Sequence, residues 1–125
     1  MQLAMSTRSS RLLASIVVWA ALASAAEAAG ETRTFTGITP EIYECTKRVG
    51  EARHGTVYQP RYGNHGVSTA SSFLWTIAIA YTFVPETGEL HHEILQRSWI
   101  IPVEAVWHGI TEQILECSEV SRLAQ

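Results

Sequence analysis

The sequence predicts a small α+β domain: an antiparallel sheet of about three strands carrying an N-terminal and a C-terminal helix on one face, in the order α-β-β-β-α. Three observations predict it. Residues 73–83 alternate in period two, with Phe73, Trp75, Ile77, Ile79, Tyr81 and Phe83 on one face and Leu74, Thr76, Ala78, Ala80 and Thr82 on the other. Pro85-Glu86-Thr87-Gly88 then forms a turn that sends the chain back. Beyond it, Val103, Val106, Trp107, Ile110, Ile114 and Cys117 recur at three- and four-residue steps, the stripe of an amphipathic helix.

Taken from the N-terminus, residues 1–28 read as a signal peptide. Arg8 and Arg11 precede the apolar run Leu12 to Ala23, and the small residues of Ala23-Ser24-Ala25 and Ala26-Glu27-Ala28 offer two cleavage patterns. That run is shorter than the ~20 residues a membrane span needs. Residues 29–37 are polar and read as a flexible N-terminus; residues 38–125 then form the single domain.

Thr39-Pro40 is an N-cap followed by proline at the first helical position, with Ile38 and Tyr43 at the staple positions around it. Ile42, Cys45, Thr46 and Val49 follow at helical spacing, so a helix is expected from Pro40 to Val49, ended by Gly50. Gly55 to Tyr62 contains Val57, Tyr58 and Tyr62 around Pro60, which removes a ladder donor, so this stretch reads as an edge strand or extended loop. Gly63-Asn64-His65-Gly66 is a turn signal. If Val84 pairs with Glu89 across the later turn, Phe83 lies opposite Leu90, Tyr81 opposite His92 and Ile79 opposite Ile94. The other face then carries His91, Glu93, Leu95 and Arg97 beside the small residues of the partner strand. Pro102 to Val120 is the closing helix, with Glu104 in its first turn and Arg122 near its end complementing the helix dipole.

Composition narrows the function classes. Charged residues are 17% of the chain and hydrophobic residues 46%, which is not a disordered composition. Arg8, Arg11 and Glu27 fall in the leader, leaving seven basic residues against eleven glutamates and no aspartate. Lys47 is the single lysine and the arginines are scattered, so there is no basic footprint for nucleic acid. Cys45 and Cys117 are the only cysteines; in an exported chain they are expected to form one disulfide, and both stand on the apolar face of a helix.

No motif specifies a chemistry. His91 and His92 cannot share a metal ion, because neighbours on a strand point to opposite faces; a ligand set from His91 and Glu93 would need His54, His65 or His108 brought from elsewhere. No His-Glu-x-x-His motif, nucleophile elbow or phosphate loop is present, and no cofactor is implied. Trp75, Trp99 and Trp107 are candidates to line a ligand pocket, although aromatics at strand and helix spacing usually belong to a core. The candidate binding surface is the mixed sheet face, with His91, Glu93, Leu95, Arg97 and Thr76, together with Asn64 and His65 of the glycine-flanked turn. A contiguous apolar patch around Leu95 would favour a partner there.

The expectation is therefore a secreted or periplasmic, non-enzymatic binding or interaction module, whose partner is a protein or small ligand outside the cytoplasm. The competing expectations are a small exported hydrolase or metal-dependent enzyme using His54, His65 or His91, and a structural envelope protein that self-associates through the edge strand at Thr56 to Tyr62.

Overall fold

The computed structural model describes residues 30–124. The proposed signal peptide, residues 1–28, lies outside them. The compact unit runs from Thr32 and is built as β1 (Thr32–Phe35), α1 (Pro40–His54), β2 (Val57–Gln59), β3 (His65–Ser71), β4 (Thr76–Val84), β5 (Glu89–Arg97) and α2 (Val103–Leu123). All five strands join one antiparallel sheet in the spatial order β1-β5-β4-β3-β2.

This corrects the expected three-stranded α-β-β-β-α arrangement in two places. The segment expected to be a flexible N-terminus contains β1, which pairs with β5 and turns Phe35 and Arg33 inward opposite Leu90 and His92. The segment after the glycine-flanked turn is β3, which pairs with both β4 and β2. Conversely, β4 starts at Thr76. Phe73 and Leu74 belong to the β3–β4 connection, closed by Ser72 N–H donating to Trp75 O at 2.8 Å, and Phe73 is 95% exposed.

The β4–β5 hairpin has the register that alternation and turn length predict. Val84 faces Glu89, Phe83 faces Leu90, Tyr81 faces His92 and Ile79 faces Ile94. Beyond Ile94 a bulge intervenes, so Ala78 faces Gln96 and Ile77 faces Arg97. The extra residue reverses the alternation of β5 relative to its partner. Arg97 therefore leaves the mixed face where the sequence expectation put it. It lies on the helix side, where its Nη1 donates to Ile101 O at 2.5 Å.

Both helices cover the inner face. Thr39 caps α1, its hydroxyl accepting from Ile42 N–H at 3.2 Å. The helix continues past Gly50 to His54. The stop is Gly55, whose φ of 62° is the left-handed conformation glycine adopts at no steric cost; its N–H donates to Glu51 O and that of Thr56 to Gly50 O. Gly50 has a different task. A Cβ there would stand 2.5 Å from the Tyr58 hydroxyl, so α1 approaches β2 only because this position is bare.

The core forms two packets. One gathers Ile38, Ile42, Tyr43, Tyr81, Phe83, Leu90, Ile114 and Cys117; the other gathers Ile79, Ile94, Val106 and Trp107, with Phe35 and Ile110 packed against both. Tyr43 stacks on Phe83 at 4.4 Å between centroids. Cys45 and Cys117 are disulfide-bonded, with Cα atoms 5.8 Å apart, and the bond ties α1 to the C-terminal half of α2. The Arg53–Glu116 ion pair spans the same helix pair at 2.5 Å, on the surface, where such pairs contribute little. Among the described residues no helix is long and apolar enough to cross a membrane.

Two outcomes are expected from this packing. The disulfide closes a loop of 72 residues. For a loop of that length the chain-entropy account assigns about 4 kcal/mol. Replacing both cysteines by alanine should lower the unfolding free energy by that order in urea titrations, with little change in the near-ultraviolet signal of the native state. Gly50→Ala should also destabilise. The alanine gains about 1 kcal/mol of helix propensity, while displacing the Tyr58 ring costs about 1–3 kcal/mol, so the net loss is up to about 2 kcal/mol.

Candidate functional site

A cavity of about 260 Å³ lies between the inner sheet face and the helices. It exists because the positions facing it are small. The inward residues of β3 that line it are Ser68 and Ala70, opposite Ile79 and Ile77 of β4; the third inward position, Gly66, lies outside it and is bare because a Cβ there would stand 2.5 Å from Gln59 O. From α2, Ala105 and Gly109 face the same space, and a Cβ built on Gly109 meets no atom within 4 Å. Tightly packed interiors leave few voids larger than a water molecule. Here small residues coincide on two facing elements, and the gap between the two core packets stays open. Tyr58, Ile77, Ile79, Leu90, Val106 and Ile110 supply most of the remaining wall, with Trp75, Thr56, His54 and Gln113 also lining it.

Several of the lining polar groups are already spent within the fold: the Tyr43 hydroxyl donates to Gly63 O and that of Tyr81 to Pro60 O. Thr46 donates to Ile42 O and Ser68 to Ile79 O. Two others stand out. Lys47 is only 7% exposed. Its ammonium donates to Arg61 O at 2.8 Å and sits 5.2–5.8 Å from the ring centroids of Tyr43, Tyr58 and Tyr81. Cation–π contacts of this kind partly compensate a buried charge. The tyrosines supply rings and no counter-charge: burial first, then neighbouring ionisable groups, pushes all three phenols upward, so they stay protonated. Among the described residues no carboxylate forms an ion pair with Lys47, although the charges of Glu44 and Glu51 act on the surrounding tyrosines.

His92 is the second. Its ring meets Phe35 edge-on at 5.5 Å between centroids, and its Nδ1 is buried with no hydrogen-bond partner. Burial, and secondarily the neighbouring His91, lowers its pKa to about 4, so it is a neutral imidazole near neutral pH.

The sequence-derived candidates lie elsewhere. His91 is on the opposite, open face, where Nδ1 lies 2.8 Å from Thr34 Oγ1 and Nε2 3.7 Å from Glu89 Oε1. His65 faces Thr82, which in turn faces His91. Two strand spacings put the backbones of these histidines roughly 10 Å apart. Glu93 and Thr76 share that face; Asn64 sits at its end, its carbonyl accepting from Phe83 N–H at 2.6 Å. Leu95, at the bulge, is exposed, but Glu93, His91 and Gln96 stand in the same strand, and the other large exposed apolar residue of the face, Val57, is three strands away. His54, at the end of α1, lines the cavity on the inner side of the sheet, whereas His65 and His91 are on the open face. Among the described residues no three His, Cys, Asp or Glu are arranged to hold a metal ion. Of the three tryptophans considered for a pocket, only Trp75 lines the cavity; Trp107 is fully buried in the core and Trp99 is 90% exposed.

Lys47 was within reach of sequence reasoning. It is the single lysine, and it stands four residues after Tyr43 and five after Ile42, on the inward stripe of α1. The cavity itself had no signal of that kind, since it is made of small side chains.

The neutral His92 gives a signed pH dependence. In the unfolded chain a histidine titrates near 6.5; in the fold this one titrates near 4. Below about pH 6.5 the unfolded state takes up a proton that the folded state refuses. Stability is therefore fully present above that pH and falls as the pH drops towards 4, by about 3 kcal/mol in total. Urea titrations between pH 7 and 4 should show that loss, and His92→Phe should flatten it relative to the unaltered protein. Comparison with protein families, with curated proteins and with solved structures finds no match to this chain.

Proposed function

We propose that this chain is an exported, non-enzymatic binding module that takes a small ligand with an apolar body into the cavity between its sheet and its helices. The cavity carries the reading. A domain of this size depends on filling its core, and here Ser68 and Ala70 of β3 and Ala105 and Gly109 of α2 line open space, with no atom within 4 Å of a Cβ built on Gly109. Convergent apolar walls with a few placed polar groups are the usual form of a small-molecule site.

Export is supported by the leader pattern of residues 1–28 and by the Cys45–Cys117 disulfide, which is consistent with an extracellular or periplasmic protein. The enzymatic alternative draws less support, because His54, His65 and His91 do not converge. Self-association through β2 draws little, since that edge strand is three residues long and short edges pair poorly. A second reading has one observation in its favour. Phe73 and Leu74 stand out from the β3–β4 connection, and Trp99 and Ile100 from the loop after β5. The two loops are held side by side by Ser98 N–H donating to Thr76 O and Thr76 N–H to the Ser98 hydroxyl. An exposed aromatic end of this kind suits a protein partner.

Two measurements test the proposal. The intact mass of protein recovered from the exported fraction should lack the leader, with two thiols alkylated only after reduction; a full-length mass with free thiols would remove export. Binding is tested with Gly109→Leu. The new side chain enters open space, so stability should hold or rise by about 1 kcal/mol. Uptake of small apolar probes, followed by the amide shifts of Ala70 and residue 109, should disappear. Unchanged uptake would move the site away from the cavity.

A further inference from the structure

We propose that the ligand of this cavity is a small monocarboxylate, its aromatic ring or short acyl chain held by the apolar wall and its anionic head held by Lys47. This rests on the cavity being a ligand site and adds the chemical class of the ligand.

Three observations carry it. The first is the state of Lys47. An ammonium has three donors; the fold employs one, on Arg61 O, and the surrounding tyrosine rings accept charge only through their faces. Glu44 and Glu51 stand at i−3 and i+4 on the same helix, yet neither pairs with it. A buried cation with no carboxylate in ion-pair contact is the arrangement that a ligand carboxylate completes, through a charge-assisted hydrogen bond.

The second is the count of charges. His92 lines the same cavity and remains neutral near pH 7, so Lys47 is the one formal charge buried among the lining residues. One positive charge suits a monoanion; a phosphate monoester or a dicarboxylate would bring a second negative charge with no partner.

The third is size. A dry cavity of about 150 Å³ accommodates a benzene ring. The 260 Å³ available here takes one substituted ring or a short acyl chain.

The test uses the purified, disulfide-bonded protein with benzoate, hexanoate and the neutral isostere benzamide, followed by the amide shifts of Ala70, Ile77 and Gly109. Benzoate should bind at least about tenfold more tightly than benzamide. Lys47→Met should bring benzoate down to the level of benzamide while leaving benzamide unchanged. If benzamide binds as tightly as benzoate, or Lys47→Met leaves benzoate untouched, the carboxylate assignment is overturned while the cavity remains a ligand site. If neither probe shifts the cavity amides, both readings fall. Should Lys47→Met not fold, benzoate against benzamide on the unaltered protein decides the matter alone.

Discussion

The pairing of Val84 with Glu89 across a four-residue turn decides which half of two nine-residue strands faces the helices. With that register Tyr81, Phe83, Leu90, His92 and Ile94 line one surface, and the stripes of α1 and α2 have something to cover. A slip of one residue would exchange this set for Thr82, Ala80, His91 and Glu93, leaving the helices no apolar floor. Sheet order, core composition and the position of the cavity follow from that hairpin.

The same hairpin was the most legible part of the sequence. Its large-small alternation is strong, its turn is made of turn-forming residues, and every residue up to Ile94 lies where the pattern places it. The disulfide was equally legible, because two cysteines on inward helix faces allow one pairing. The misses have physical reasons. β1 reads Thr-Arg-Thr-Phe, an edge strand with one apolar anchor and three polar neighbours, which no periodicity rule separates from a frayed terminus. β3 reads His-Gly-Val-Ser-Thr-Ala-Ser, and its inward positions are too small to register as an apolar face. The bulge after Ile94 left no mark in composition, so Arg97 was expected on the wrong face.

What hid β3 also makes the candidate site. A strand with bulky inward residues would have been visible in the sequence and would have filled the space between the core packets. Because its inward positions are small it is silent to pattern reading, and Ser68 and Ala70 leave a void beside Lys47. The cavity and the missed strand are one observation seen at two levels. The inner layer is also unusual in holding a lysine ammonium and a neutral imidazole in so small a core, where each polar group without a full complement of partners costs stability.

The bare helical position at Gly109 has a consequence for selection. Random substitution there yields mostly residues that favour the helix, and a larger side chain meets open space. A single replacement at this position is thus a ready gain in stability that also fills the interior. A lineage free of any demand on the interior would fill it within a few substitutions. Persistence of the void across descendants would then be a record of use, readable from sequences alone at positions 68, 70, 105 and 109.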